Sequence, residues 1–131
     1  MAKKAGRQRE TRLQESSSLL DPDDPQKGRW GGEPEAHERR LLAFTISDPE
    51  DRERYLVYLK VESTNPDNPL TGRVNFYLHD SFSPDKRTVL AKEGVAELKE
   101  LRTYEPFTVG VTCDNNTIML EREVKLPPKQ Y

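Results

Sequence analysis

From residue 40 onward the chain is a succession of short alternating runs separated by turn formers. Leu42, Phe44 and Ile46 alternate with Ala43 and Thr45 before SDPED breaks the run at 47–51. Tyr55, Val57, Leu59 and Val61 alternate with Leu56, Tyr58 and Lys60, and 63-STNPDNPLTG-72 follows, dense in turn residues. Val74, Phe76 and Leu78 alternate with Asn75 and Tyr77 in a strand predicted over 73–79. A loop around Ser83-Pro84-Asp85 leads to the short run Arg87–Ala91, which suits an edge strand. Phe107, Val109 and Val111 mark another strand, 114-DNN-116 supplies a turn, and 117-TIMLEREVKL-126 returns; this pair is the strongest hairpin signal. A period of two sends successive side chains to opposite faces, one of them toward a core. One segment is ambiguous. Val95, Leu98 and Leu101 fall at helical spacing, and propensity favours a helix, whereas Ala96 and Leu98 also fit one face of a strand and the surrounding runs favour a sheet. The recurrence of short strands predicts an all-β sandwich or barrel of about seven or eight strands.

The first 40 residues are different. Lys3, Lys4, Arg7, Arg9 and Arg12 face a single acid, Glu10, and 13-LQESSSLL-20 is too short to hold a helix unaided. The stretch 21-DPDDPQKGRWGGEPEA-36 is rich in proline, glycine and charge, and cannot bury enough apolar surface to offset its ordering entropy. The expected organisation is therefore a polar, mostly disordered N-terminal segment (1–37), a β-sandwich domain (38–127) and a C-terminal tail (128–131) opened by Pro127-Pro128. Trp30 is the exception within the tail: its ring is expected to fold back onto the domain edge, where it gains buried area and a partner for its N–H.

Composition narrows the function. Lys plus Arg is 21 against 23 for Asp plus Glu, a net charge of -2, so no global basic bias draws in nucleic acid or an anionic membrane. Nucleic acid could be met only weakly, through the basic N-terminal stretch, which reads more simply as a solvated tail. Cys113 is alone, excluding a disulfide framework or a cysteine metal site. No apolar run approaches the roughly 18 residues of a membrane span, and the expectation is a soluble, cytoplasmic, monomeric protein.

Catalytic chemistry needs convergent groups. His37 and His79 are the two histidines, and His37 falls in the tail. There is no glycine-rich phosphate loop, HExxH, paired cysteine motif or nucleophile elbow, and the acids at 21, 23 and 24 lack the glycine and terminal glutamate of a calcium loop. The reading is not an enzyme, with no cofactor and no metal. Binding is the open question, and it centres on 79-HDSF-82. His79 offers a donor or acceptor nitrogen, Ser81 a hydroxyl and Phe82 a flat apolar wall, while 103-TYEPF-107 places a second ring, Tyr104, on another loop. Two loops at one end of a sandwich could form a slot for a neutral planar group. Equally, Phe82 could cap the core and Tyr104 lie over a loop.

The stretch 73-RVNFYLHDSF-82 resembles the YEATS domain motif, a strand ending in L-H-x-S-F. The order of elements around it is similar too. The strand 54-RYLVYLKVE-62 stands where the family has W-x-V-x-V, Lys86-Arg87-Thr88-Val89 resembles its basic-plus-valine run, and Tyr104 with Phe107 resembles its aromatic loop and following strand. The segments 106-PFTVGV-111 and 120-LEREV-124, with the lead-in DPQKGRWGG and a first strand over 40–46, are similar to the prokaryotic branch. The resemblance covers roughly residues 24–126 and implies an immunoglobulin-like antiparallel β-sandwich.

It further implies a non-catalytic binding module for an acylated lysine or a similar planar group on a protein or peptide partner. In lysine-acyl readers of the family the motif histidine orients the serine hydroxyl, which bonds the acyl amide, and two aromatic residues sandwich the acyl plane. The corresponding ligand-binding residues here are His79, Ser81, Phe82 and Tyr104. Two departures stand out. The loop 47-SDPEDRE-53 lacks the aromatic residue that readers carry, and Thr103 and Pro106 replace glycines beside the loop ring, which stiffens the backbone and removes one N–H donor. The alternative is a structural interaction sandwich that recruits a partner through an edge strand or loops, with LHDSF serving only the fold.

Overall fold

The structure is a computed structural model that describes residues 21–128. The basic stretch 1–12, the run 13–20 and residues 129–131 lie outside the described residues. Within them are eight strands and no helices: β1 (Glu35–Ala36), β2 (Arg39–Ser47), β3 (Tyr55–Ser63), β4 (Arg73–Tyr77), β5 (Lys86–Leu90), β6 (Val95–Thr103), β7 (Phe107–Cys113) and β8 (Ile118–Val124). They form two antiparallel four-stranded sheets, β1-β2-β3-β6 and β5-β4-β7-β8, so the chain is an all-β sandwich. No helix among the described residues is long and apolar enough to cross a membrane.

The core lies between the sheets. Val57, Leu59 and Val61 from β3 meet Val74 and Phe76 from β4 and Val109, Val111 and Cys113 from β7, all fully or almost fully buried. Leu78, just past β4, completes the row, and its N–H reaches the Asp85 carbonyl (2.7 Å) to close the loop carrying HDSF. Burial pushes the Cys113 thiol up to about 12, so it is a packing element and not a reactive group.

The ambiguous segment is strand β6, and a bulge explains its helical spacing. Val57 pairs with Leu101 and Leu59 with Leu98, so one residue of β3 faces two of β6, Lys99 and Glu100. Glu100 adopts φ 59°, the left-handed conformation that absorbs the extra residue. Leu98 and Leu101 therefore point the same way although three positions apart.

On β2 the alternation holds but its apolar set faces outward. Arg39, Leu41, Ala43 and Thr45 pair with the inward residues of β3, whereas Phe44 and Ile46 are 54% and 50% exposed. Register decides this, because Leu41 opposite Val61 and Ala43 opposite Leu59 continue the fully buried row of β3.

Residues 21–34 form a strap across the outer face of the second sheet. Trp30 folds back as expected: its ring stacks on Tyr77 of β4 at 4.2 Å, and its Nε1–H donates to the buried Gln26 side chain (2.9 Å). The indole lies flat over Gly110 of β7, where an added Cβ would sit 2.1 Å from the Trp30 ring. Gly110→Ala should therefore push the indole off Tyr77 and cost about 1–3 kcal/mol. A red shift in the emission of this single tryptophan, with a lowered melting temperature, is the measurement that checks it.

Candidate ligand-binding site

Strand direction gathers three loops at one end of the sandwich: the β2–β3 connection from Asp48, the β4–β5 connection carrying HDSF, and the β6–β7 connection with Tyr104. The Phe82 N–H donates to the His79 carbonyl (3.0 Å), so 79–82 is a tight turn with its two polar side chains brought together. Asp48 is buried and braces the β2–β3 loop, accepting from the Glu50 N–H (2.8 Å) and Arg54 Nε (2.6 Å). Those hydrogen bonds, the backbone one foremost, hold its carboxyl below the ordinary range.

Tyr104 is 57% exposed and donates its hydroxyl proton to Asp51 (2.6 Å), which ties the β6–β7 loop to the β2–β3 loop. That bond is the main cause lowering the Asp51 carboxyl and raising the Tyr104 phenol. Thr103, at a position where readers carry glycine, uses its hydroxyl to bond the Glu105 carbonyl (2.7 Å) and shape the same loop.

Between the strap, the HDSF turn and the β6–β7 loop opens a cleft of about 570 Å³, lined by Pro22 and Asp23 from the strap, His79 and Ser81 from the turn, and Tyr104 and Phe107 from the β6–β7 side, with Asp80, Glu105 and Pro106 completing it. The structure thus brings His79, Ser81 and Tyr104 onto one cleft. It does not bring Phe82 there. The Phe82 ring turns inward, half-buried against the core and tilted against Phe107 at 5.1 Å, and Phe107 is the core aromatic that reaches the lining. Phe82 follows the last core residue of its strand by four positions, and the turn returns it toward the apolar end of the sandwich, where burial of a ring is favourable.

The polarity of the His79–Ser81 pair can be read from its partners. The Asp23 carbonyl, 3.0 Å from Nε2, can only accept, so Nε2 carries a proton. The Ser81 backbone N–H, 3.0 Å from Nδ1, can only donate, so Nδ1 offers its lone pair. Ser81 Oγ lies 2.9 Å from the same nitrogen and can share that nitrogen's lone pair as a second donor, an arrangement that leaves the oxygen lone pairs for whatever enters the cleft. The Asp80 carboxylate also lies 3.2 Å from Nδ1 but is largely exposed, while the Ser81 N–H is fixed by the turn.

The partners of this site were not all visible locally. Asp23 meets His79 across 56 positions and nothing in the strap's composition marks it. Phe107 carried only the signal of a strand start. Among the described residues no group of three or more His, Cys, Asp or Glu could hold a metal ion.

No curated protein and no solved structure matches the chain. A family model does: the prokaryotic YEATS domain matches residues 55–125, from the first residue of β3 to just past β8 and more than half of the chain. With the two-sheet topology and the HDSF turn in place, the chain belongs to the prokaryotic YEATS domain family.

Proposed function

We propose that the chain is a non-catalytic reader whose loop-end cleft takes an acylated lysine, or a planar amide like it, on a protein or peptide partner. The family is one of binding modules, and this supports the coarser reading. The observation that carries the finer one is the oriented His79–Ser81 pair opening on the same cleft as the exposed Tyr104 ring. Ser81 Oγ accepts the amide N–H, Tyr104 covers one face of the acyl plane, and Phe82 takes part from behind, backing Phe107. With one hydrogen bond of about 0.5–1.5 kcal/mol and few aromatic contacts, affinity falls in the micromolar to millimolar range.

The test is an amide NMR titration of labelled protein with acetyl-lysine and crotonyl-lysine peptides against the unmodified peptide. Saturable shifts around His79, Ser81 and Tyr104 that vanish in Ser81→Ala are the expected result. Absence of shifts at millimolar peptide would refute the reading.

A second reading is favoured by one observation, the exposed Phe44 and Ile46 on the outer face of β2. An interaction sandwich would recruit its partner there or at a neighbouring sheet edge. Phe44→Ser would then abolish partner binding and Ser81→Ala would leave it intact.

A further inference from the structure

The strap is more than a cover for the second sheet. Pro22 and Asp23 line the cleft, and the residues that follow them are anchored to the strands that build the site. Asp24 accepts both the backbone N–H (2.8 Å) and the hydroxyl (2.6 Å) of Thr108, a buried residue of β7. Gln26, also buried, donates to the carbonyl of Leu78, the residue immediately before His79. A turn closed by the Asp24 N–H on the Asp21 carbonyl (3.0 Å) and the Asp23 N–H on the Asp21 side chain (2.9 Å) then aims the Asp23 carbonyl at His79 Nε2.

We propose that the strap is a positioning element of the binding site, with Asp24 as its key residue: by clamping Thr108, Asp24 holds the Asp23 carbonyl on His79 Nε2, and so fixes the ring that orients Ser81. The physical logic is one of restricted rotation. His79 stands at the end of β4 on its outward side, where an imidazole held through one nitrogen keeps freedom about its last bond. Held at both nitrogens, by Asp23 on one side and the Ser81 N–H on the other, it keeps one orientation. The Ser81 hydroxyl then meets the ligand already turned, and the cost of ordering it is not charged to binding.

The proposal deepens the acyl-lysine reading in its affinity consequence and is independent of it in its effect on His79. The experiment therefore reads both. The Nε2–H proton and ring nitrogens of His79 are followed by ¹⁵N NMR in the full chain; with two histidines in the sequence, one His37→Gln control assigns them. In the unaltered protein the Nε2–H exchanges slowly with water and Nδ1 is unprotonated. In Asp24→Ala the Nε2–H signal is lost to fast exchange and the affinity for acetyl-lysine peptide falls about threefold to tenfold, the worth of one hydrogen bond. Asp24→Asn, which retains an oxygen for the Thr108 N–H, restores most of both. A slow-exchanging Nε2–H that persists in Asp24→Ala overturns the proposal, as does unchanged affinity there. An unaltered protein that binds no peptide overturns the acyl-lysine reading alone, and the exchange of the Nε2–H then decides the role of the strap.

Discussion

Asp114→Ala should lower the unfolding free energy by about 2–3 kcal/mol, below the usual cost of breaking a fully buried ion pair because the Asp114 side chain is 31% exposed. Its partner Arg39 is 1% exposed, at the end of the sandwich away from the cleft. The guanidinium bonds both Asp114 oxygens at 2.9 Å and donates to the carbonyls of Asn68 (2.7 Å) and Glu38 (3.3 Å). Removal of Asp114 leaves a buried cation with carbonyl dipoles and the weaker field of the Glu38 carboxylate, and the missing countercharge accounts for most of the loss. The double variant Arg39→Met/Asp114→Ala should accordingly recover part of the stability, since an apolar side chain in that position carries no unpaired charge.

The pH dependence has a definite sign. The Arg39 hydrogen bonds hold the Asp114 carboxyl below the ordinary range in the folded state. A depressed folded value gives stability that is complete above the unfolded pKa and is lost as pH falls through the folded one. Urea unfolding should show the full difference between wild type and Asp114→Ala at neutral pH and a shrinking difference in acid. A difference that is constant with pH would mean that the ion pair is not its source. Peptide binding should be unchanged, because the pair lies at the opposite end from the cleft.

Glu121→Ala is the second large effect, about 3 kcal/mol, from hydrogen bonds to a charged acceptor of roughly 1.5–3 kcal/mol each before partial replacement by water. This carboxylate is 6% exposed on the outer side of β8 and accepts the backbone N–H groups of Gly28 (2.8 Å), Trp30 (2.8 Å) and Gly32 (3.3 Å). Gly28 and Gly32 have φ of 82° and 74°, a conformation that turns successive N–H groups to one side and that glycine adopts without strain. Without the acceptor three N–H groups of the 28–32 loop lose their partner, and Trp30 should leave Tyr77. The expected readout is a lowered melting temperature together with red-shifted, more quenchable tryptophan emission. Glu121→Gln, with one amide oxygen, should fall between. Unchanged emission in Glu121→Ala would show that the Trp30–Tyr77 stack and the Asp24 and Gln26 hydrogen bonds suffice to hold the strap.

The stretch DPQKGRWGG shows how far a local reading extends. Its composition predicts a segment that does not order itself. Yet Glu121 meets Gly28 across 93 positions and supplies the acceptor that these N–H groups need. Trp30 was legible, because a lone indole in polar sequence is costly to leave in water; that its seat is Gly110 was not, because a glycine in a strand carries several meanings.

The β2 run and the β6 segment are ambiguous in the sequence for a related reason. Alternation states that two faces differ but not which faces the core, and that choice rests on Leu41 opposite Val61. Leu98 and Leu101 mimic a helix because the Lys99–Glu100 bulge adds one residue to a period of two.

In the site, the part that is sequence-local was readable. His79 and Ser81 are two residues apart in a tight turn, so their contact follows from the chain itself, and the strand pattern around 74–78 and the 107–124 hairpin follow equally from side chains that alternate every residue. The motif 73-RVNFYLHDSF-82, with the order of runs around it, carried the resemblance to the family, and the recurrence of short alternating runs carried the sandwich. Tertiary structure alone decided that Phe82 turns to the core while Phe107 reaches the cleft, that Asp51 holds Tyr104, and that the Asp23 carbonyl faces His79. Each of these depends on how separate loops converge once the sheets pack, and hydrophobic burial specifies that packing across the whole core and not within any one segment.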